Sequence, residues 1–310
     1  MPDVQPGAVP SDTATEVFAD HRELLFSVVY NLLGGVADTE DVLQDAWLAW
    51  AARHRDAAAE PIGNPRAYLV RIAVNAALAR QAAISRRRES YVGPWLPEPL
   101  VEPAAGAEDA ADPVLRAESV SMALLVVLET LSPLERAVFV LHEVFGYPLT
   151  EVAGILDRSA PAVRQLAHRA RAHVRARRPR HHADPRLQRE VTERFLAAAF
   201  GGGIADLLEL LAPDVTLWSD GGGKRGAALR PVRGSGRVAR LISEVTASGR
   251  AASAALDVRY RTVNGDPSAV LFDHDAPFAV MVLDLDADGR IEGVYTVLNP
   301  DKLARIDGRD

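Results

Sequence analysis

Apolar residues recur at steps of three and four from Phe18 to Leu78 and again from Met122 to about Val174, whereas beyond Pro185 they alternate with polar ones in short runs broken by Asn264-Gly265 and Asp288-Gly289. The first period is that of amphipathic helices and the second that of half-buried strands joined by tight hairpins. One fold class cannot serve both halves, and 310 residues suffice for two or three modest cores. The expected architecture is multidomain: two all-α domains followed by an α+β domain with a mainly antiparallel, curved sheet.

Within the helical half, Phe18, Leu24, Leu25, Val28, Val29, Leu32 and Leu33 predict a helix from Glu16 that closes at Gly34-Gly35. A second helix follows from Asp38, and a turn through Pro61, Gly63, Asn64 and Pro65 leads to a third over Arg66–Arg88. Residues 1–15 read as disordered, 16–92 as one helical domain, and 93–113, rich in Pro and acidic residues without an apolar period, as a linker. A second helical domain is expected over 114–180 and the α+β domain over 186–306. In the latter, helices are predicted near Arg186–Phe200, Ile204–Leu211 and Gly236–Ala247, with strands at Val215–Trp218, Leu256–Val263, Ala269–Asp273, Phe278–Asp284 and Ile291–Leu298.

The net charge of −7 conceals two basic islands. Residues 61–97 carry +5 and residues 158–185 carry +7, while 1–60 and 98–157 carry −8 and −9. Separate Lys/Arg clusters can each neutralise phosphates locally, and the acidic remainder opposes indiscriminate DNA binding. The absence of cysteine excludes disulfides and thiolate chemistry and agrees with a reducing, cytoplasmic setting. No signal peptide is visible at the start, and the longest apolar runs, Met122–Leu128 and Phe278–Leu283, are far short of a membrane span.

The sharpest local signal lies in Leu149–Arg175. A helix over Leu149–Leu156, the turn Asp157-Arg158-Ser159 and a second helix that Ser159 caps, with Pro161 in its first turn, make a helix-turn-helix. The second helix presents Arg164, Gln165, His168, Arg169 and Arg171, side chains that reach base edges or phosphates, and keeps Val163, Leu166 and Ala170 for the core. A helical hairpin with a solvated basic face is the plainer alternative. In the helix from Asp38, Asp38, Asp41 and Asp45 share one face; on residues alone, a face for a basic partner and a solvated acidic face stand level.

The strings Leu131–Arg136, Leu149–Ala153 and Val163–Arg171 resemble the fourth region of sigma-70 family factors, and Asp38–Leu48 resembles the second-region helix. Tyr68–Arg80 with Arg86-Arg87-Arg88 is similar to that family's minus-ten segment. The resemblance covers 17–91 and 118–178 and leaves no room for the extra regions of housekeeping factors, which implies the extracytoplasmic-function type. It implies contact of Asp38, Glu40, Asp41, Gln44, Asp45 and Trp47 with core RNA polymerase. It also implies capture of unstacked minus-ten bases near Tyr68, Arg71, Asn75 and Arg80, and reading of the minus-thirty-five element by the helix after Ser159. Tyr68 reads equally as a core aromatic. Pro148 replaces a Ser-type helix start, and Asp157 replaces a turn glycine, which Asp tolerates through left-handed geometry.

Trp95-Leu96-Pro97, Asp220-Gly221-Gly222-Gly223-Lys224 and Asn299-Pro300-Asp301-Lys302-Leu303 look like the subgroup that carries a fused SnoaL-like C-terminal domain. That likeness implies regulation in cis, by contacts of the appended domain with the linker and sigma domains, with no separate anti-sigma protein. An exposed Trp-Leu-Pro patch also needs cover on physical grounds. No cofactor, metal site or catalytic residue is expected. The Asp284-Asp286-Asp288 run lacks a Glu at its twelfth position, Gly223-Lys224 lacks the rest of a phosphate loop, and His181-His182 has no further placed ligands. Two rivals remain: a helix-turn-helix regulator sensing a small ligand in its C-terminal domain, and a SnoaL-like enzyme with Trp218, Asp220 and His274 in its pocket.

Overall fold

A computed structural model describes residues 12–56, 60–102, 120–177, 183–201, 203–248 and 256–308. The expectations for residues 1–11, for the linker from 103 to 113 and for His181-His182 lie outside them. The chain forms two compact units, one of residues up to 84 together with 132–171, the other of 85–131 together with the rest from 172.

The first unit is helical: α1 (Asp12–Leu33), α2 (Val36–Arg55), most of α3 (Pro65–Glu89), α5 (Pro133–Phe139), α6 (Leu149–Ile155) and most of α7 (Ala160–Arg175), with α4 (Met122–Leu128) in the other unit. The first helix begins at Asp12 rather than Glu16 because Ala14 is buried and its carbonyl accepts the indole N–H of Trp50 at 2.8 Å. Residues 12–15, expected to be disordered, are therefore helical. Helix α5 starts on a capping box, Ser132 with Glu135, and runs into a π-helical turn over Val140–Val144. Arg136, 1% exposed, sends its Nε to the carbonyl of Asn31 at 2.9 Å. A cation thus meets a carbonyl in the last turn of α1, where the helix dipole favours it.

The second unit is built on a six-stranded sheet: β1 (Leu211–Asp220), β2 (Val232–Arg233), β3 (Asp257–Val263), β4 (Asp266–Asp273), β5 (Ala276–Leu285) and β6 (Ile291–Val297), in the order β2-β1-β6-β5-β4-β3. Only β1 and β6 are parallel neighbours, so the sheet is mainly antiparallel as expected. Asn264 and Gly265 both take positive φ (51° and 81°), the geometry of a two-residue hairpin. Asp286 accepts the N–H groups of Asp288 and Arg290 at 2.9 Å, which makes the acidic run a hairpin loop.

Side chains alternate across strands, and here both faces are covered. Helices α8 (Pro185–Gly201), α9 (Ile204–Leu210) and α10 (Ser235–Ala247) bury Phe195, Leu207 and Val238 with Leu217, Leu271 and Val294. On the opposite face Val270, Phe272, Val280 and Val297 meet Leu96 and Val101 of the expected linker, Met122 and Ala123 of α4, and Leu303 of the short helix α11 (Pro300–Leu303). Residues 100–102 also pair with the edge strand β3: Glu102 N–H donates to Thr262 O and Asn264 N–H to Leu100 O, both at 2.9 Å. The end of the β3 edge nearest the β3–β4 turn is thereby covered.

Candidate nucleic-acid interface and linker clasp

The helix-turn-helix forms as its residues dictate. Asp157 adopts φ 51°, the left-handed turn position expected of it. Ser159 Oγ accepts the N–H of Ala162 at 3.4 Å, and Pro148, with no side chain to cap, receives the N–H groups of Glu151 and Val152 on its carbonyl. On α7, Val163, Leu166 and Ala170 are buried. Pro161, Arg164, Gln165, His168 and Arg169 line one shallow open surface. Arg164, Gln165 and His168 are exposed and make no hydrogen bond within the described residues, so their donors are free for a ligand. Arg169 and Arg171 instead pair with Glu135 and Glu143 at 2.7 and 2.5 Å. Arg169 and the Ser132 hydroxyl hold the Glu135 carboxyl below the usual range, the hydroxyl having the larger effect.

On α3, Arg71 is exposed and without a partner among the described residues, whereas Tyr68 is half-buried with its ring 5.9 Å from that of Trp50. Asn75 is exposed but donates to Ile155 O of α6 at 3.3 Å. Arg80 binds Asp38 at 2.8 Å and also Asp41; burial opposes its charge, but the two carboxylates outweigh that and raise its pKa. The strand contact expected of Arg80 and the acidic face expected around Asp38 thus neutralise one another in this state. Glu40 is taken by Arg22 at 2.8 Å, and Trp47 packs edge-on against Phe18. What α2 leaves exposed is Asp41, Gln44 and Asp45 around Leu48, a 54% exposed leucine that the sequence reading passed over.

Arg86 and Arg87 are exposed. Arg88, expected at DNA, has its guanidinium 3.4 Å over the Trp95 ring and ion-paired to Glu129 of the α4 C-terminus. The reason is local, since Trp95 needs a cover and α4 supplies the carboxylate.

Trp95–Pro97, Asp220–Lys224 and Asn299–Leu303 lie side by side. The carboxylate of Asp220, wholly buried at the end of β1, accepts four donors: Tyr91 OH at 2.5 Å, Leu96 N–H at 2.9 Å, Gly222 N–H at 3.1 Å and Lys302 Nζ at 2.7 Å. Lys302 also donates to Leu96 O and lies 4.1 Å over the Trp95 ring. Asn299 Nδ2 donates to Tyr91 OH at 2.8 Å, while its Oδ1 caps α11 by accepting Asp301 N–H at 3.1 Å. Leu96 and Pro97 are buried with the core beneath Leu303. Gly221, Gly222 and Gly223 turn the chain tightly: a Cβ on Gly222, at φ 59°, would stand 2.4 Å from the Asn299 amide. Lys224 and Asp301, 2.6 Å apart, strap the turn to α11 at the surface.

Burial pulls the Lys302 pKa down from 10.5 to about 8, against the opposing pull of Asp220. Burial and the Asp220 bond raise that of the Tyr91 phenol, which keeps it a donor. Tyr91 and the Arg88–Glu129 pair were not foreseen as parts of this clasp.

Trp218, Asp220 and His274 do not converge on a pocket. Trp218 stacks on Tyr295 at 4.8 Å on the linker side of the sheet, Asp220 is spent on the clasp, and His274 is an exposed residue of the β4–β5 turn with φ 56°. Among the described residues no group of three His, Cys, Asp or Glu side chains could hold a metal ion, and no helix is long and apolar enough to cross a membrane.

Residues 17–88 match the profile described as Sigma-70 region 2, and residues 121–174 that described as Sigma-70, region 4. The ECF RNA polymerase sigma factor SigJ of Mycobacterium tuberculosis (strain ATCC 25618 / H37Rv) is 43% identical over 225 residues, which are 71% of this chain and 69% of SigJ. The probable ECF RNA polymerase sigma factor SigI of the same strain is 29% identical over 94% of this chain and 95% of its own length. The crystal structure of M. tuberculosis extracytoplasmic function sigma factor SigJ aligns with a TM-score of 0.70 and 34% identity over 94% of this chain and 98% of that one, so the match includes the C-terminal sheet. The chain therefore belongs to the extracytoplasmic-function RNA polymerase sigma factors, the proteins that direct transcription initiation.

Proposed function

We propose that this sigma factor reads its promoter with two separate helices and is restrained in cis by its own C-terminal domain through the linker clasp. Asp41, Gln44 and Asp45 around Leu48 dock on core RNA polymerase, with Asp38, Glu40 and Trp47 shaping that face. Arg71, Asn75 and Arg86 serve the minus-ten strand, joined by Arg80 and Arg87. Arg164, Gln165 and His168 read the minus-thirty-five element, with Arg169 and Arg171 bracing the helix that carries them.

The two elements lie about 25 base pairs apart, roughly 85 Å of duplex at about 3.4 Å per base pair. The connection between the reading helices must span a comparable distance. The observation that carries the restraint is that both ends of this connection, Tyr91–Val101 and Met122–Ala123, are seated on one face of one sheet. While they remain there, the exit of α3 and the entry of α4 cannot draw apart. A linker owned in this way needs no separate anti-sigma protein and leaves the C-terminal domain without a catalytic duty. Work on a promoter places the protein in the cytoplasm.

The test is transcription in vitro with purified core polymerase, comparing the full chain with a chain ending at Leu298. Promoter-specific transcripts from the full chain, with an altered yield from the shortened one, are expected. Equal yields would overturn regulation in cis, and operator binding by the free protein without any polymerase association would favour the ligand-sensing regulator.

A further inference from the structure

The helix-covered side of the sheet contains a cavity of about 380 Å³ that neither promoter reading nor the clasp uses. Its walls come from α8, α10 and the strands, with Phe195, Leu217, Leu241, Leu271, Phe278 and Met281 supplying the apolar surface. Such a volume suits a small organic ligand of roughly ten to twenty non-hydrogen atoms. No charged side chain lines it among the described residues. A carboxylate or an ammonium ion would enter unpaired and lose its hydration without compensation.

Polar groups face the cavity chiefly at one place. Ser219 and Thr296 are direct neighbours across the parallel β1–β6 ladder, and both line the wall. Ser219 Oγ accepts the Ala228 N–H at 2.9 Å, which leaves its own hydrogen to donate. The Thr296 hydroxyl has no hydrogen-bond partner among the described residues. The remaining hydroxyl, that of Thr246, is turned back on the carbonyls of Ile242 and Ser243. Two adjacent unspent hydroxyl donors on an apolar wall are matched by one acceptor on an otherwise greasy molecule.

We propose that this cavity binds a compact, neutral, apolar molecule carrying a single hydroxyl or carbonyl group, oriented by Ser219 and Thr296. Recognition needs no chemistry from the protein. The apolar walls supply the affinity, and the hydroxyl pair selects the oxygenated ligand over its hydrocarbon.

The probes are 1-naphthol, naphthalene and 1-naphthoate, titrated into the full chain by calorimetry and intrinsic fluorescence. The expected result is saturable one-to-one binding of 1-naphthol, weaker binding of naphthalene and none of 1-naphthoate. Thr296→Val should lower 1-naphthol affinity about 5- to 20-fold and leave naphthalene unchanged, the difference of one hydrogen bond. Ala279→Phe, which fills the cavity, should abolish both; Met281→Trp is the second filling variant should the first fail to fold, with circular dichroism reporting folding. Absence of 1-naphthol binding by the natural chain, equal binding of 1-naphthoate, or binding that survives in a folded cavity-filled variant would overturn the proposal.

Discussion

The ammonium of Lys302 lies 2.7 Å from the carboxylate of Asp220, whose side chain is 0% exposed, and this ion pair joins α11 to the end of β1 directly beneath Trp95. Neither charge would be stable there alone. Each is tolerated because the linker backbone completes the coordination, Leu96 giving its N–H to Asp220 and its carbonyl to Lys302. A pair that is satisfied only when the linker is seated makes the linker's position part of the energetics of the C-terminal domain.

Lys302→Met leaves the Asp220 charge buried without its cation, a loss of about 3–5 kcal/mol for a broken buried pair. Hydrogen exchange should show lost protection at Leu96 and through residues 91–101, and transcription in vitro should change in the same direction as with the chain ending at Leu298. Adding Asp220→Asn should restore part of the protection, since it removes the stranded charge. Undiminished exchange protection in the single variant would refute the clasp as an energetic unit.

Burial alone raises the pKa of Asp266, at the start of β4, from 3.8 to about 6. The folded chain therefore keeps this proton up to about pH 6, while the unfolded chain releases it near pH 4. The stabilisation is complete below about pH 4 and is lost as pH rises through 6. Asp266→Asn, which never ionises, should match the natural chain at pH 4 and exceed it by about 1–2 kcal/mol at pH 7.5, as read from urea unfolding.

Arg164 and Arg169 share one exposed face but differ in their commitments, one free and one bound to Glu135. Arg164→Ala should weaken promoter binding by the polymerase complex by about 1–3 kcal/mol and relax specificity at one minus-thirty-five position. Arg169→Ala should change base specificity little and lower thermal stability slightly, because the exposed ion pair is worth at most about 1 kcal/mol. Binding to minus-thirty-five variants, followed by fluorescence anisotropy, separates the two.

Leu48 stands in the exposed face formed by Asp41, Gln44 and Asp45, an apolar centre with a charged rim. Leu48→Ala should raise the dissociation rate from core polymerase, roughly tenfold for a buried leucine of about 1.5 kcal/mol, and leave the association rate nearly unchanged. Asp45→Lys should chiefly lower the association rate and its salt dependence. Surface plasmon resonance at two ionic strengths distinguishes these outcomes.

The sequence alone determined what depends on near neighbours. Three- and four-residue periods defined the helices, Ser159 and Pro161 the start of α7, Asp157 its left-handed turn, and Asn264-Gly265 a hairpin, because caps, turns and periodicity are settled within a few residues. Most residues of the clasp, though not Tyr91, could be named by resemblance, yet their meeting could not be derived, for Leu96 and Asp220 are 124 positions apart. Tertiary structure alone decided which charges were spent. Arg80 went to Asp38 and Asp41, Arg88 to Trp95 and Glu129, and Arg169 to Glu135, so that only part of each basic island remains free. One further signal was legible in Ala269–Phe272 and Phe278–Leu283, continuous apolar runs that mark strands buried on both faces. They required a second cover for the sheet. That the cover is the linker followed only from packing, since hydrophobic burial is non-directional and any apolar segment within reach could have filled that role.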